Sequence, residues 1–373
     1  MKTVKLLHCA DIHLDMPFTT LGDSEGRAAV RRDELRQAFK NIISLAEKEK
    51  ADLLLICGDL YEHEYVRKST INFLSGEFSR IPHIKAILLP GNHDPYLPGS
   101  YYNTFQWPDN VHILADEADS VELEELGIRI SGSRGPALHG KTREINIMMA
   151  HGTLNMDIGK NAYNPLSSDS FDASGMDYIA LGHFHNRFEA AGRQVTAYNP
   201  GSPEPLGFDE EGVHGIYAIE ISTDGSGGKS IEARFVPLNQ RTYRNITVNA
   251  DGSATDERIA GICAEAVKAA GGSGDLYSLT LKGKVEQGFV MDKRLLESQL
   301  KGLAFYVRIK DETTPGYDFD EIAGEPGLRG LFARKLLEKA REAADRGDEK
   351  GRLLALQALY YGIEAMEQGE ICI

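Results

Sequence analysis

Side chains that can bind metal ions follow five separate apolar runs of the sequence. They occur in the segments Asp11-Ile12-His13, Gly58-Asp59, Gly91-Asn92-His93-Asp94, His151-Gly152 and Gly182-His183-Phe184-His185. The donors are carboxylates, imidazoles and an amide, without a thiolate, and this set favours Mn, Fe or catalytic Zn over a structural zinc site. The pattern predicts that five loops meet at one metal centre.

Two divalent ions at such a centre would suit phosphoester chemistry. Two metals about 3.5–4 Å apart can share one carboxylate, polarise a phosphoryl oxygen and activate a water for in-line attack. Asp59 is the natural bridging residue in this arrangement. His8 lies inside the first apolar run, and we interpret it as a core histidine rather than a ligand.

The elements that must position these residues alternate between strand and helix. Strands are predicted at Lys5–Ala10, Asp52–Cys57 and Ala86–Leu89, and helices at Ala28–Lys50 and Ser69–Ser79. This order implies right-handed crossovers and a largely parallel sheet. Sites in such sheets form beyond the carboxyl ends of the strands, which is where the polar segments follow.

Further β-like runs complete the predicted fold. They cover 111–114, 127–131, 145–150, 178–181, 195–198, 215–221 and 231–236. We predict an α/β (α+β) fold, in which a two-sheet sandwich flanked by helices precedes a small α+β capping domain and a C-terminal helical tail. The predicted boundaries are 1–240 for the sandwich, 241–312 for the capping domain, and 313–373 for a linker with two helices.

The composition is typical of a globular protein. The chain has 373 residues, 42% of them hydrophobic and 26% charged, and no apolar run approaches the roughly 20 residues of a membrane-spanning helix. Its four cysteines, Cys9, Cys57, Cys263 and Cys372, form no CxxC pair, which predicts reduced thiols in a cytoplasmic protein. The net charge of −15 would repel nucleic acid over most of the surface, although bound divalent ions reverse the sign locally.

The five segments resemble the calcineurin-like metallophosphoesterase superfamily, whose motifs run D-x-H, G-D, G-N-H-D/E, H and G-H-x-H. The resemblance covers about residues 3 to 220. Within it, 7–14, 58–61, 91–94 and Asn199-Pro-Gly-Ser-Pro-Glu204 look most like SbcD-type DNA-repair exonucleases, bacterial relatives of the double-strand-break-repair nuclease. The fold class is then a metallophosphoesterase sandwich.

The resemblance implies a role for each residue of the motifs. One metal is held by Asp11, His13, Asp59 and His185, and the other by Asp59, Asn92, His151 and His183. His93 then faces the scissile phosphate as a general acid or as a stabiliser of the transition state, and Asp94 orients its imidazole. Mn is the expected metal, with Fe, Zn or Mg as alternatives.

The sequence departs from the family pattern close to Asp59. The repair nucleases often carry a histidine three residues after the bridging aspartate, but here that position is Glu62, and His63 follows as a candidate auxiliary residue. The Arg-Gly pair of related protein phosphatases is absent from the segment Leu60-Tyr-Glu-His-Glu64, which disfavours that activity.

The expected function is a metal-dependent phosphodiesterase, a DNA exonuclease that acts in DNA repair. The implied partners are DNA, an SbcC-type SMC-like ATPase docked on the C-terminal helices, and a second copy in a homodimer. Arg27, Arg31, Arg32 and Arg36 are candidates for a DNA path, with a solvated helix face as the alternative. Two other functions remain: a small-molecule phosphodiesterase or nucleotidase with the same metals, and a non-enzymatic scaffold for an ATPase.

Overall fold

A computed structural model of the chain describes residues 2–22, 26–115, 119–133, 143–155, 163–192 and 195–368. The strands are β1 (Lys2–Cys9), β2 (Leu53–Cys57), β3 (Lys85–Leu89), β4 (Val111–Ile113), β5 (Ser120–Leu123), β6 (Ile128–Gly132), β7 (Ile145–His151), β8 (Tyr178–Gly182), β9 (Phe188–Ala191), β10 (Thr196–Asn199), β11 (Gly215–Thr223), β12 (Lys229–Pro237), β13 (Tyr243–Asn249), β14 (Leu276–Val285) and β15 (Tyr306–Pro315). The helices are α1 (Arg27–Glu49), α2 (Lys68–Ser79), α3 (Tyr101–Thr104), α4 (Ser168–Ala173), α5 (Asp256–Ala270), α6 (Lys293–Gln299), α7 (Phe319–Gly324), α8 (Leu328–Asp345) and α9 (Glu349–Gln368), and 3-10 helices lie at Thr19–Leu21 and Glu124–Leu126.

Two compact units divide the described residues. The first runs to Asn245 and includes Gly274–Tyr277, and the second contains Ile246–Ser273 and the chain from Ser278 onward. The division into 1–240, 241–312 and 313–373 is a finer one and stays a prediction.

The first unit is a sandwich of two mixed sheets. One sheet has the strand order β12-β11-β1-β2-β3-β4 and the other has the order β5-β6-β7-β8-β10-β9. Strands β1 to β4 are mutually parallel, with α1 and α2 as the crossovers between the first three, and β6, β7 and β8 are also parallel. The α/β two-sheet fold predicted from the sequence is confirmed.

The core of this unit lies between the two sheets. Strands β2, β7 and β8 are buried along their whole length, and an extensive apolar cluster joins side chains of both sheets, among them Leu55 and Met149. Continuous apolar runs are expected where parallel strands are covered on both faces. The polar segments follow the carboxyl ends of β1, β2, β3, β7 and β8, where the buried strands end.

The second unit contains most of a three-stranded sheet, β13-β14-β15, and the helices α5 to α9. Its helical part has a small core of its own around Ile322, Ala333 and Leu359. Within the predicted linker and helical tail at 313–373, β15 continues to Pro315, and a further helix, α7, begins at Phe319. Asp318 caps this helix, and its carboxylate accepts hydrogen bonds from the N–H groups of Asp320 and Glu321.

Three further expectations concern membrane-spanning helices, the cysteines and His8. No helix in the described ranges is both long and apolar enough to cross a membrane. Cys9, Cys57 and Cys263 are buried as thiols rather than disulfides, whereas Cys372 lies outside the described residues. His8 is fully buried, with its ring nitrogens bonded to the Tyr178 hydroxyl and the Leu181 carbonyl, so the core interpretation is confirmed.

Candidate metal centre

The seven residues predicted as metal ligands lie in one cluster, at the carboxyl ends of strands from both sheets. Asp11 and His13 follow β1, Asp59 follows β2, Asn92 follows β3, His151 ends β7, and His183 and His185 follow β8. Direct contacts connect them all: His13 to His185 (3.2 Å), His13 to Asp59 (3.7 Å), His151 to Asp59 (3.2 Å), His151 and His183 to Asn92 (3.1 Å each), and the His183 N–H to Asp11 (3.1 Å).

One half of the cluster contains two histidine rings whose Nε2 atoms point towards each other. The Nε2 atoms of His13 and His185 are 3.2 Å apart, while their Nδ1 atoms lie 2.7 Å from the carboxylates of Glu62 and Glu210. If each Nδ1 carries the proton that its carboxylate accepts, both Nε2 lone pairs point into the same space. Two lone pairs at this distance repel unless a proton or a cation lies between them, so the geometry fits a metal ion.

The other half of the cluster surrounds Asp59. Its Oδ2 atom lies 3.2 Å from Nε2 of His151 and 3.7 Å from Nε2 of His13, so one carboxylate reaches both halves. The His151 Nδ1–H donates to the Cys57 carbonyl at 2.8 Å, so Nε2 is the ring nitrogen that faces Asp59 and Asn92. Burial alone would raise the pKa of Asp59, but the neighbouring His151 holds that pKa well below its usual range. Asp59 is therefore ionised, and its Oδ2 atom lies between the two halves of the cluster.

The same electrostatics apply to the histidines. Burial alone would lower the pKa of His185, but its hydrogen bond to Glu210 and the charge of Asp11 raise it to about 9. The pKa of His151 is likewise raised to about 10, against the effect of burial, by Asp59. Negative charge that favours a proton also favours a metal cation, and cation binding at these nitrogens must displace the proton.

The backbone of the ligand loops adopts an unusual conformation. The φ angles are +53° at Asp11, +50° at His13, +53° at Asp59 and +100° at His183, a region that non-glycine residues rarely occupy. Hydrogen bonds hold these loops together, from the Asp11 N–H to the Gly58 carbonyl (3.1 Å) and from the His13 N–H to the Asp59 carbonyl (2.9 Å). Backbone strain concentrates at functional sites when the surrounding structure enforces it, as here.

Two glycines allow the strand ends to approach each other. A Cβ atom at Gly91 would overlap the side chain of Asp59, and one at Gly182 would overlap the Cys57 carbonyl oxygen. Both positions therefore require a residue without a side chain.

The role predicted for Asp94, which was to orient His93, is wrong. Asp94 is fully buried, and its oxygens accept hydrogen bonds from four donors that do not include the His93 ring: the N–H groups of Asp59 (3.0 Å), Leu60 (2.7 Å) and Gly91 (2.6 Å) and the Tyr102 hydroxyl (2.6 Å). Burial and the charge of Asp59 raise the pKa of Asp94 to about 7. Asp94 instead fixes the loops after β2 and β3, because backbone N–H groups at these loop ends need an acceptor.

Glu62 is the residue that contacts His93. Its two carboxylate oxygens lie 3.0 Å from Nδ1 of His93 and 2.7 Å from Nδ1 of His13. Burial alone would raise the pKa of Glu62, but these two hydrogen bonds lower it to about 2, and the same contact raises the pKa of His93. The departure from the family pattern at position 62 was the sequence feature that could have identified this residue.

His63 has a different environment. Its N–H donates to the His93 carbonyl at 2.9 Å, and its Nδ1 atom is buried without a hydrogen-bond partner among the described residues. The ring does not belong to the groups of described residues whose donor atoms lie close enough to share an ion, whereas Glu62 does. An auxiliary role for His63 stays a prediction.

Glu210 was missed because no motif marks it. Its second oxygen accepts hydrogen bonds from the Ser202 hydroxyl and the Leu206 N–H, both at 2.9 Å, so the carboxylate is fixed behind His185. Carboxylates that hold the second nitrogen of a ligating histidine fix its tautomer and raise its basicity. Glu62 and Glu210 would stand in this relation to His13 and His185 if these histidines bind a metal ion.

Comparison with known proteins agrees with this arrangement. The model of the calcineurin-like phosphoesterase family matches residues 4–187, and this part of the chain is a calcineurin-like metallophosphoesterase domain. The chain is 28% identical over 58% of its length to the uncharacterized metallophosphoesterase YhaO of Bacillus subtilis, of which the match covers 57%.

Two archaeal proteins named DNA double-strand break repair protein Mre11 are also similar. The protein of Methanopyrus kandleri is 23% identical over 60% of this chain and 55% of its own length, and that of Saccharolobus solfataricus is 25% identical over 84% of both. The chain thus spans little more than half the length of YhaO and of the Methanopyrus protein.

Proposed function

We propose that this chain is a two-metal phosphodiesterase that cleaves DNA ends. The observation that carries the proposal is the cluster at the strand ends, in which carboxylates, imidazole nitrogens and an amide oxygen converge around Asp59. The two similar Mre11 proteins, whose name refers to DNA double-strand break repair, support DNA as the substrate.

The residues present fit a pair of divalent ions. Asp11, His13, Asp59 and His185 would hold one ion, and Asp59, Asn92, His151 and His183 the other. The donors are nitrogen and oxygen atoms only, a set that suits Mn and does not exclude Fe, Zn or Mg. When bound, such ions would supply Lewis-acid activation of the phosphoryl group and of the attacking water.

His93 is the proposed catalytic acid. Its side chain is 44% exposed, Glu62 holds its Nδ1 atom, and the other ring nitrogen remains for a substrate. The contact with Glu62 raises its pKa and so favours the protonated ring, which can donate a proton to the leaving oxygen. Glu62 takes the orienting role first assigned to Asp94.

Two of the four arginines proposed for a DNA path, Arg31 and Arg36, pair with carboxylates of the protein itself. Arg31 is fully buried, where it pairs with Glu34 and with Glu204 (2.7 Å), and Arg36 pairs with Asp15 at 2.9 Å. These guanidinium groups are committed to carboxylates within the fold, so the cations of the metal centre become the main local attraction for a phosphodiester.

The partners belong to the same proposal. We propose that residues 241–312 cap the substrate, that the protein is a homodimer, and that the C-terminal helices dock an SbcC-type ATPase. Leu331, Leu353 and Leu354 are 48–66% exposed and support such a docking surface. Leu336, Leu337 and Leu359 pack within the helical core instead.

An assay with purified protein tests the substrate. With Mn²⁺, labelled single- and double-stranded DNA should be degraded from their ends, and His93→Ala should abolish turnover while metal content stays near that of the wild type. Full activity of His93→Ala would contradict its role. Activity confined to cyclic nucleotides and aryl phosphodiesters would contradict the DNA proposal.

A second candidate function is a nucleotidase or small-molecule phosphodiesterase with the same metals. A cavity of about 550 Å³ that includes His183 and His185 favours it, since this volume is in the range of small-molecule sites. The same panel of substrates separates the two functions.

A further inference from the structure

A cavity lined by aromatic side chains adjoins the metal centre. Its volume is about 550 Å³, and its wall includes the proposed ligands His183 and His185 together with Leu154, Phe184, Phe188 and Ala190. We call it the Phe184 pocket. Because it shares two histidines with the metal centre, any group inside it lies next to a phosphate bound at the metals.

The apolar wall of the Phe184 pocket is anchored to the core. The rings of Phe184 and Phe188 lie edge to face, 5.6 Å apart at 74°, and both pack on a buried cluster that includes Leu181 and Ala197. The loop between them is fixed by buried Asn199, whose amide donates to the carbonyls of Phe184 (2.7 Å) and Asn186 (3.1 Å). A preorganised aromatic surface of this kind suits a flat ring.

The polar part of the wall can meet the edge of a base. Asp209 and Glu210 contribute carboxylates and Arg187 contributes a guanidinium group, so the wall carries both signs of charge. The Asn186 amide and the Arg187 guanidinium group offer hydrogen-bond donors and the Asp209 carboxylate offers acceptors, whereas the Asn155 amide is paired with Ser168. This combination matches a heteroaromatic ring that carries amino and carbonyl groups.

We propose that the Phe184 pocket binds the base of the nucleotide whose phosphodiester lies at the metal centre, an inference that rests on the proposed phosphodiesterase function. A base in this pocket cannot remain stacked in a duplex, because it must be turned out of the helix to reach the wall. The pocket therefore selects unpaired terminal nucleotides and disfavours phosphodiesters without a base.

Direct binding tests the assignment. Calorimetric titration of the Mn²⁺-loaded protein with deoxyadenosine 5′-monophosphate and with deoxyribose 5-phosphate compares ligands that differ only in the base. Stacking of one base on aromatic side chains corresponds to about 5- to 150-fold in affinity, and we expect a preference in this range. Phe188→Ala should reduce the preference, and Ala190→Phe, which fills the pocket and keeps an apolar surface, should abolish it.

Phe73→Ala is the matched control. Phe73 is a partly buried phenylalanine that packs on Phe39, far along the chain from the pocket residues, and its removal should leave the preference for the base intact. Equal affinities of the two ligands for the wild type would overturn the assignment, as would an unchanged preference in Ala190→Phe.

Turnover of two esters separates this inference from the proposed function. Thymidine 5′-(p-nitrophenyl phosphate) and methyl p-nitrophenyl phosphate release the same leaving group, and the thymidine ester should have the higher kcat/KM. Hydrolysis of neither ester, with the binding preference retained, would contradict the phosphodiesterase function alone. Equal kcat/KM values for the two esters would contradict the pocket assignment alone.

Discussion

Replacement of Glu62 by glutamine tests how the metal centre and the proposed acid are held together. Glu62 is buried, and its carboxylate lies between the Nδ1 atoms of His13 (2.7 Å) and His93 (3.0 Å). Glutamine keeps the shape but has only one acceptor oxygen, so one ring N–H must face the amide NH₂ group. The substitution therefore breaks one hydrogen bond and removes the charge from the other.

The size of the effect follows from these contacts. Loss of a residue that holds a metal-ligating histidine from behind typically costs 10- to 100-fold in metal affinity or activity. This corresponds to about 1.4–2.8 kcal/mol, comparable with one hydrogen bond to a charged group, about 1.5–3 kcal/mol. We expect a Kd for Mn²⁺ at least tenfold higher in Glu62→Gln, measured by isothermal titration calorimetry.

The pH profile gives a second measurement on the same variant. Glu62 raises the pKa of His93, and a protonated general acid loses activity as the pH rises through that pKa. Removal of the negative charge lowers the pKa of His93, so the alkaline limb of kcat/KM for an aryl phosphodiester should move to lower pH. Glu64→Gln, an exposed neighbour, is the control and should shift neither quantity. Wild-type metal affinity and an unmoved alkaline limb in Glu62→Gln would refute this reasoning.

Three other substitutions test the surrounding structure. Gly91→Ala places a Cβ atom on the side chain of Asp59 and should lower Mn²⁺ affinity at least tenfold. Tyr102→Phe removes the hydroxyl donor of buried Asp94 and should reduce the free energy of unfolding by about 1–3 kcal/mol in urea denaturation. Burial lowers the pKa of His8 from 6.5 to about 3, so between these values the unfolded chain binds a proton at His8 that the folded protein does not. The contribution of His8 to stability is present above pH 6.5 and should be lost by about 1.4 kcal/mol per pH unit below pH 6. The slope of stability against pH should therefore be shallower by this amount in His8→Phe.

Matched substitutions keep these three predictions specific. A Cβ atom at Gly99 meets no neighbour, so Gly99→Ala should bind Mn²⁺ as the wild type does. Tyr101→Phe is the control for Tyr102→Phe, because the structure gives the Tyr101 hydroxyl no bond to Asp94. Equal effects of a test variant and its control, or parallel pH slopes for His8→Phe and the wild type, would contradict the corresponding argument.

The sequence was enough to predict that the five polar segments meet, but not which residues hold them from behind. Apolar runs locate the parallel strands, and the end of a parallel strand is where a site forms, so residues such as Asp59 and His151 could be predicted without coordinates. The partners of Glu62 and Glu210 depend on loops with positive φ angles, which no periodicity reveals. The same limit explains the wrong prediction for Asp94. The sequence pairs Asp94 with its neighbour His93, but the donors to the Asp94 carboxylate are backbone N–H groups and the Tyr102 hydroxyl.

The polar ends of β1, β2 and β3 belong to one sheet, whereas those of β7 and β8 belong to the other. Ions that take ligands from the loops of both sheets would cross-link the two sheets, as a disulfide would. We expect amide hydrogen exchange at the ends of β2 and β7 to slow together on metal binding, as one cooperative unit. Amide protection at the strand ends of both sheets would then depend on whether the centre is occupied. Chelation of the ions would increase exchange at these strand ends, while the apolar interior of the sandwich would remain protected.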